Sequence, residues 1–236
     1  MHRLYIEQAL SENQLMTLVE SQSHYLIKVM RLRQGDEILV FNGVDGEWKA
    51  RITMVSKKSV MVQALTQTRP QAKPSDLWLL FSPLKPKRQE FLVEKATELG
   101  VSCLCPIRCE RTSIPKVNSE KMKAHVIEAS EQCGRLTIPE IKPLTSLKET
   151  LANWPQDRLL LFGDETLTSP SLSKIKLDPE QSTAFLVGPE GGFTAQEFDL
   201  LRAHGTGVTL NANILRAETA GLVGLAWLMR HHGINQ

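Results

Sequence analysis

The hydrophobic pattern of the chain changes near residue 70, and this change constrains the fold more than any other feature. Before it, Ile38–Phe41 forms a short apolar run, Asp45-Gly46 is a hairpin-type turn, and apolar residues alternate with polar ones over Trp48–Met54. Beyond it, apolar strand-like runs alternate with helical patterns, which is typical of an α/β layer structure. The sequence therefore predicts two regions of different architecture.

A polar segment with two prolines separates these regions. Pro70 and Pro74 lie within Thr66–Ser75, whose composition suits an interdomain linker. We therefore expect a small β domain over residues 1–72 and an α/β domain over residues 73–236.

Apolar periodicity and turn residues predict the elements of each domain. In the first domain, helices are expected over Leu10–Ser21 and Tyr25–Met30, and a further strand over Val60–Ala64. The strands predicted in the second domain are Leu77–Phe81, Cys103–Ile107, Arg158–Phe162, Ala184–Val187 and Val208–Leu210. Its predicted helices are Gln89–Leu99, Glu120–Cys133, Leu147–Ala152, Ala195–Ala203 and Ala217–His231, with capping boxes at Ser146-x-x-Glu149 and Thr194-x-x-Glu197.

The charge distribution permits nucleic-acid binding without establishing it. The formal net charge is +2, and Lys and Arg outnumber Asp and Glu by 10 to 7 over residues 1–75. Such a small excess also suits an ordinary solvated surface.

The composition also indicates a cellular setting. The amino terminus lacks the pattern of a signal peptide, and no apolar run approaches the ~20 residues that span a bilayer, so we expect a cytoplasmic protein that does not enter a membrane. The cysteines Cys103, Cys105, Cys109 and Cys133 lack CxxC spacing. We therefore expect structural thiols and no metal, although His125 with three of them is an alternative ligand set.

A glycine-rich junction is the strongest local signal for a ligand site. The apolar strand Phe185–Val187 runs into Gly188-Pro189-Glu190-Gly191-Gly192, followed by a capped helix. Glycines allow backbone amides to approach a ligand closely. The loop matches neither a Walker motif nor GxGxxG, which argues against nucleoside triphosphates and dinucleotides.

A second strand-to-helix junction lies near the carboxyl terminus. It runs from Leu210 to Ala220, and Gly221 and Gly224 follow it on the next helix. These small residues suit either a buried core or a subunit interface.

Together, and in this order, the segments resemble the SPOUT family, specifically the methyltransferases that act on N3 of a uridine in 16S ribosomal RNA. Asn211 and Asn213 depart from the Leu-Gly-x-Arg pattern expected there. The resemblance rests on His2-Arg3, His24-Tyr25-Leu26, Val29-Met30-Arg31, Gly35-Asp36, Lys85, Arg88, Lys95, Glu98-Leu99-Gly100, Glu110-Arg111, Glu131-Gln132-Cys133, Arg135, Gly188 to Gly192, and Ile214-Leu215-Arg216-x-Glu218-Thr219-Ala220.

The resemblance implies a knotted SPOUT domain of α/β class, an amino-terminal PUA-like β-barrel that binds RNA, and a homodimer acting on 16S rRNA or the small ribosomal subunit. It also implies S-adenosyl-L-methionine as cofactor. The residues expected to bind it are Phe162, Gly163, Val187, Gly188, Pro189, Glu190, Gly191, Gly192, Leu210, Asn211, Ile214, Leu215 and Arg216.

Transfer to uracil N3 requires loss of its proton, so a base or a group that stabilises the anion is needed. We expect Arg216 to stabilise the developing charge, and Glu131 and Glu190 are candidate bases, with structural roles as alternatives. The expected RNA-binding residues are Arg3, Lys28, Arg31, Arg33, Lys85, Lys87 and Arg88. Alternatives to this function are a ribose 2′-O-methyltransferase and a non-catalytic RNA-binding protein of ribosome assembly.

Overall fold

The computed structural model describes residues 1–56 and 59–231, which form two compact units. Unit 1 contains residues 1–73 together with residues 130–138, and unit 2 contains the other described residues. The division near residue 73 lies close to the predicted linker, whereas nothing in the sequence indicated that residues 130–138 belong to unit 1.

Unit 1 is built on a five-stranded sheet. The strand order is β1-β3-β4-β5-β2, with β1 parallel to β3 and the other pairs antiparallel. Side chains from one face of this sheet form an apolar core that includes Ile6, Ile38, Val40 and Val62. The elements are β1 (Arg3–Tyr5), β2 (Leu15–Thr17), α1 (Glu20–His24), a π-helical turn (Tyr25–Val29), β3 (Glu37–Phe41), β4 (Glu47–Val55) and β5 (Val60–Arg69).

Two expectations for unit 1 were wrong. The predicted helix over Leu10–Ser21 is replaced by β2 and the start of α1, because Leu15–Thr17 pairs with Met61–Gln63 of β5. The predicted linker is shorter, because β5 continues to Arg69 and pairs with Glu47 of β4. Both differences arise from pairing between distant segments, which local periodicity does not record.

Unit 2 contains a parallel sheet between helices. The strand order is β12-β10-β11-β6-β7-β8, and β9 pairs with β7. The predicted α/β class is confirmed, whereas the trefoil knot and the closure of the small sheet into a barrel remain predictions. The elements are β6 (Leu77–Phe81), α2 (Pro86–Glu98), β7 (Cys103–Arg108), α3 (Ser119–Cys133, ending in unit 1), β8 (Glu140–Ile141), β9 (Thr145–Ser146), α4 (Leu147–Ala152), β10 (Leu159–Gly163), a 3-10 turn (Leu172–Lys174), β11 (Thr183–Val187), α5 (Ala195–His204), β12 (Thr206–Val208) and α6 (Ala217–His231).

The small residues of α6 face the core of unit 2. A Cβ atom on Gly224 would lie 2.4 Å from the Phe185 ring, and one on Gly221 would lie 3.0 Å from Leu92 Cδ1. Close approach of α6 to β11 therefore requires glycine at position 224. Of the two roles expected for these glycines, the structure supports packing in the core and not contact with a second subunit.

The caps of two helices were predicted from the sequence. Thr194 and Glu197 form the reciprocal capping box at the start of α5. At α4, Ser146 accepts a hydrogen bond from the Glu149 N–H at 3.2 Å.

The sequence also led us to expect structural cysteines, no metal and no membrane-spanning segment, and residues 1–56 and 59–231 can be examined for each. Cys103, Cys105 and Cys109 are buried, and no group there has three or more side chains arranged to hold a metal. Burial raises the pKa of the Cys109 thiol. Among the same residues, no helix is both long and apolar enough to cross a bilayer.

Candidate functional site

A cavity of about 780 Å³ opens in unit 2 where three neighbouring strands end. β10, β11 and β12 are parallel neighbours, so the segments that follow them emerge at one edge of the sheet. The sequence therefore brings three distant loops to one site. The lining residues come from Gly163 to Leu167, Val187 to Phe193 and Leu210 to Ala220, with Arg88, Arg111 and Phe198.

The glycine-rich loop has a fixed shape. The Gly192 N–H donates to the Pro189 carbonyl oxygen at 2.9 Å, which closes a tight turn, and Gly192 has a φ of +71°. Such a conformation favours glycine. From outside the turn, Arg111 donates to the carbonyl oxygen of Gly191 at 3.0 Å. All residues from Val187 to Phe193 line the cavity.

An acidic pair after β10 supports the loop from the other side. Glu165 accepts a hydrogen bond from the Phe193 N–H at 2.9 Å. Its neighbour Asp164 is buried and accepts hydrogen bonds from Thr166, Thr168 and Ser169. Burial alone would raise the pKa of the Asp164 carboxyl, but these hydrogen bonds hold that pKa below its usual value.

Arg88 lies between two carboxylates at the cavity wall. Its Nη1 forms an ion pair with Glu190 Oε1, and its Nε lies 3.7 Å from Glu218 Oε1. The Glu218 side chain is only 12% exposed, and its Oε2 has no hydrogen-bond partner among the described residues. Two carboxylates therefore share one guanidinium.

The structure brings most of the predicted cofactor residues together. All of them line the cavity except Phe162, which is buried and packs against the Phe193 and Phe198 rings. Asn213, one of the departures from the expected pattern, also lines it. Several lining residues were not predicted as site residues, and only Phe193 had a local signal, because it follows the glycine-rich loop. They are Arg111, Asp164, Glu165, Thr166, Leu167, Phe193, Phe198, Ala217 and Ala220.

Two of the three candidate catalytic residues, Glu190 and Arg216, line the cavity. Arg216 is exposed, whereas Glu190 is paired with Arg88. Glu131 instead belongs to unit 1, where its Oε1 accepts a hydrogen bond from the Tyr5 N–H at 2.8 Å. This contact is the kind expected for a structural role, and the role of Glu131 as a base stays a prediction.

The predicted RNA-binding residues fall into three environments. Arg3 is engaged within unit 1, because it pairs with Glu47 at 2.7 Å and donates to the Ser130 carbonyl oxygen at 2.7 Å. The Arg3 guanidinium is therefore engaged within the protein, and its contact with RNA stays a prediction. Arg88 is paired at the cavity, as described. The exposed residues are Lys28, Arg31 and Arg33 in unit 1 and Lys85 and Lys87 in unit 2.

Sequence comparisons agree with this arrangement. The profile of a family described as "RNA methyltransferase domain" matches residues 71–229, and that of an "RNA methyltransferase PUA domain" matches residues 20–65. The chain is 33% identical to the ribosomal RNA small subunit methyltransferase E of Rickettsia conorii, over 95% of this chain and 93% of the relative. It is 28% identical to the Bacillus subtilis protein of the same name, over 96% and 95% of the two chains.

Solved structures extend the similarity to the fold. The ribosomal RNA small subunit methyltransferase E of Neisseria gonorrhoeae, crystallised with S-adenosyl methionine, superposes with a TM-score of 0.87. It is 31% identical, and the match covers 96% of this chain and 95% of that one. A Legionella pneumophila methyltransferase in complex with the same cofactor gives a TM-score of 0.86 at 30% identity, covering 97% and 96% of the two chains. By its matched domains, its full-length relatives and its fold, the chain belongs to the ribosomal RNA small subunit methyltransferase E family of SPOUT-class RNA methyltransferases.

Proposed function

We propose that this chain transfers a methyl group from S-adenosyl-L-methionine to N3 of a specific uridine in the 16S rRNA of the small ribosomal subunit. The observation that carries the proposal is the glycine-lined cavity at the ends of β10, β11 and β12, in a chain that matches named rRNA methyltransferases over nearly its whole length.

The residues around the cavity fit this cofactor. A volume of about 780 Å³ suits a ligand of its size. Gly192 has a φ of +71°, which favours glycine, and a Cβ atom there would lie 2.5 Å from Glu165 Oε1 and would displace this carboxylate from the loop. The cavity is lined by three carboxylates, Asp164, Glu165 and Glu190, and by three guanidinium groups, Arg88, Arg111 and Arg216. This mixed lining suits a cofactor that carries a sulfonium, an ammonium and a carboxylate.

The chain's own residues then have to position the base and control charge. When bound, the cofactor supplies an electrophilic methyl group on its sulfonium. Arg216 lines the cavity from the third loop and would stabilise the negative charge that develops on uracil as N3 loses its proton. Glu190 would have to leave its ion pair with Arg88 to accept that proton. Arg88 would then be a second cation, besides Arg216, that could stabilise negative charge on the uracil.

RNA positioning is assigned to exposed cations on both units. Lys28, Arg31 and Arg33 lie on unit 1, within or near the segment that matches the RNA methyltransferase PUA domain. Lys85 and Lys87 lie at the start of α2. Contacts to phosphates would hold the RNA, and the target uridine would have to leave its base pair to expose N3.

We further propose a cytoplasmic homodimer. Two apolar side chains on packed helices support a dimer: Phe91 on α2 is 45% exposed and Val223 on α6 is 37% exposed. The dimer surface would thus lie on the outer sides of these helices and not on the glycines of α6. Sedimentation of Phe91→Ser/Val223→Ser should show a monomer, and an unchanged dimer would remove this surface from the interface.

The test of function is methylation of ribosomal RNA by the purified protein, followed by mass spectrometry of the nucleosides. N3-methyluridine is the expected product. Ribose 2′-O-methylation would assign a different acceptor, and absence of measurable cofactor binding would favour a non-catalytic RNA-binding protein.

A further inference from the structure

Unit 2 contains a second, smaller cavity of about 210 Å³. On α2 it is lined by Pro86, Gln89, Glu90 and Val93, which share one helix face, whereas Arg88 lines the first cavity. The start of α2 therefore contributes to both cavities through different faces. The remaining lining residues are Leu84, Ile114, Lys116, Asn118, Lys121, Met122 and His125.

The floor of this cavity is apolar and contains one unpaired ring nitrogen. Leu84, Val93 and Met122 are buried. His125 Nε2 is buried without a hydrogen-bond partner among the described residues, and its nearest described carboxylate oxygen, Glu90 Oε2, is 3.8 Å away. Burying a polar atom without a partner is unfavourable, so a ligand that bonds to this nitrogen would be stabilised by that contact.

The rim of the cavity is cationic. Lys116 and Lys121 are exposed, and Glu90, 3.7 Å from Lys121 Nζ, is the only carboxylate among the lining residues. Lys85 and Lys87 are exposed on the adjoining turn of α2. An apolar floor, one directional polar group and a positive rim match a flat heteroaromatic ring attached to a phosphate.

We propose that this cavity binds an unpaired nucleotide of the RNA substrate, distinct from the uridine that is methylated. Its volume lies below the roughly 300–1,000 Å³ of sites for drug-sized ligands, which suits a single nucleobase. The ring packs on Leu84, Val93 and Met122, the edge of the base bonds to His125 Nε2, and the backbone phosphate lies near Lys116 and Lys121. This proposal rests on the proposed function only in naming RNA as the source of the nucleotide.

The first experiment reads binding at the cavity itself. The protein is labelled with methyl-¹³C methionine and titrated with each nucleoside 5′-monophosphate, and the Met122 methyl resonance is followed. At least one monophosphate should shift this resonance with millimolar affinity, while that of Met16, buried in unit 1, stays constant. His125→Leu, which keeps the apolar packing and removes the ring nitrogen, should weaken the affinity at least fivefold.

The second experiment measures affinity for a 16S rRNA fragment, which does not depend on catalysis. Lys116→Ala/Lys121→Ala and His125→Leu should each weaken it three- to tenfold, and the control Lys148→Ala/Lys174→Ala, on exposed lysines outside the cavity, should change it less than twofold.

The outcomes separate this proposal from the proposed function. A silent Met122 resonance with every monophosphate, or unchanged RNA affinity in His125→Leu, would overturn the second site even if the protein methylates RNA. Conversely, a responding Met122 and weakened RNA affinity would support the site even if no methyl transfer occurs.

Discussion

The carboxylate of Glu165 accepts a hydrogen bond from the Phe193 backbone N–H at 2.9 Å, and this contact ties the segment after β10 to the glycine-rich loop after β11. Both segments line the larger cavity. The loop's shape therefore depends on a side chain that lies 28 residues earlier in the chain.

Removing this contact should weaken cofactor binding. We expect Glu165→Ala to raise the Kd for S-adenosyl-L-methionine about tenfold, because one hydrogen bond to a partly buried N–H contributes about 1 kcal/mol and a complementary charge is lost as well. Glu165→Gln keeps an acceptor oxygen and should lose less. Calorimetry on variants with unchanged melting temperatures measures the effect, and equal affinity in Glu165→Ala and wild type would refute the assignment.

The basic residues at the start of α2 should separate into two classes. Lys85→Ala/Lys87→Ala should weaken RNA binding and flatten its salt dependence, because fewer phosphate counterions are released. The single-turnover rate of this double variant at saturating RNA should equal that of wild type. Arg88→Ala should instead lower the single-turnover rate, because it leaves Glu190 and Glu218 without their shared cation. If the double lysine variant had a lower single-turnover rate at saturating RNA and an unchanged salt dependence of RNA affinity, the division into two classes would be wrong.

Arg216 should act on the chemical step. Arg216→Ala is expected to lower the methyl-transfer rate at saturating substrates by roughly 10²-fold, because loss of a group that stabilises transition-state charge costs a few kcal/mol. Arg216→Lys keeps the charge without the planar guanidinium and should recover part of the rate. Rapid-quench kinetics with RNA in excess makes the measurement, and a variant impaired only in RNA affinity would place Arg216 among the RNA contacts.

Glu47 should make unit 1 sensitive to acid. Burial alone would raise the pKa of its carboxyl, but hydrogen bonds from Arg69, Arg3 and Thr68 lower it to about 2 from a usual 4.5. The stabilisation is therefore complete above pH 4.5 and is lost as the pH falls toward 2.

The matching variant is Glu47→Gln. At neutral pH it should reduce the free energy of unfolding of unit 1 by about 2–3 kcal/mol, since it leaves the Arg3 side chain, which is only 10% exposed, without a counter-charge. Its stability should then vary less than that of wild type between pH 4.5 and 2. Hydrogen exchange of the β4 and β5 amides reports on this unit alone, and parallel pH profiles for the two proteins would disprove the role of Glu47.

The elements of unit 2 were largely predictable because each has its own local signal. The helix over Ala217–His231 and the capping box at Thr194 follow from apolar periodicity and from side chains that lie three residues apart. β2 was missed because its pattern is only three residues long and it is stabilised by pairing with β5, which is remote in sequence.

The site residues that could be predicted are those that directly follow a predicted strand and have a distinctive local sequence. The composition of the glycine-rich loop and of the segment before α6 identifies both as parts of a ligand site. Glu165 is recognised as part of the site only from its contact with Phe193. Arg88 was predicted to contact RNA, and its ion pairs were missed because Glu190 and Glu218 lie more than a hundred residues away in the sequence.

The account is tested most directly by mapping the methyl group on 16S rRNA after incubation with the purified protein and S-adenosyl-L-methionine. A methyl group on N3 blocks the base-pairing edge, so reverse transcription should stop at one uridine, and nucleoside mass spectrometry should identify N3-methyluridine. Arg216→Ala should show much less of both signals at the same time point. Methylation of a ribose hydroxyl, or cofactor binding with no methyl transfer to either naked 16S rRNA or small subunits, would contradict the account.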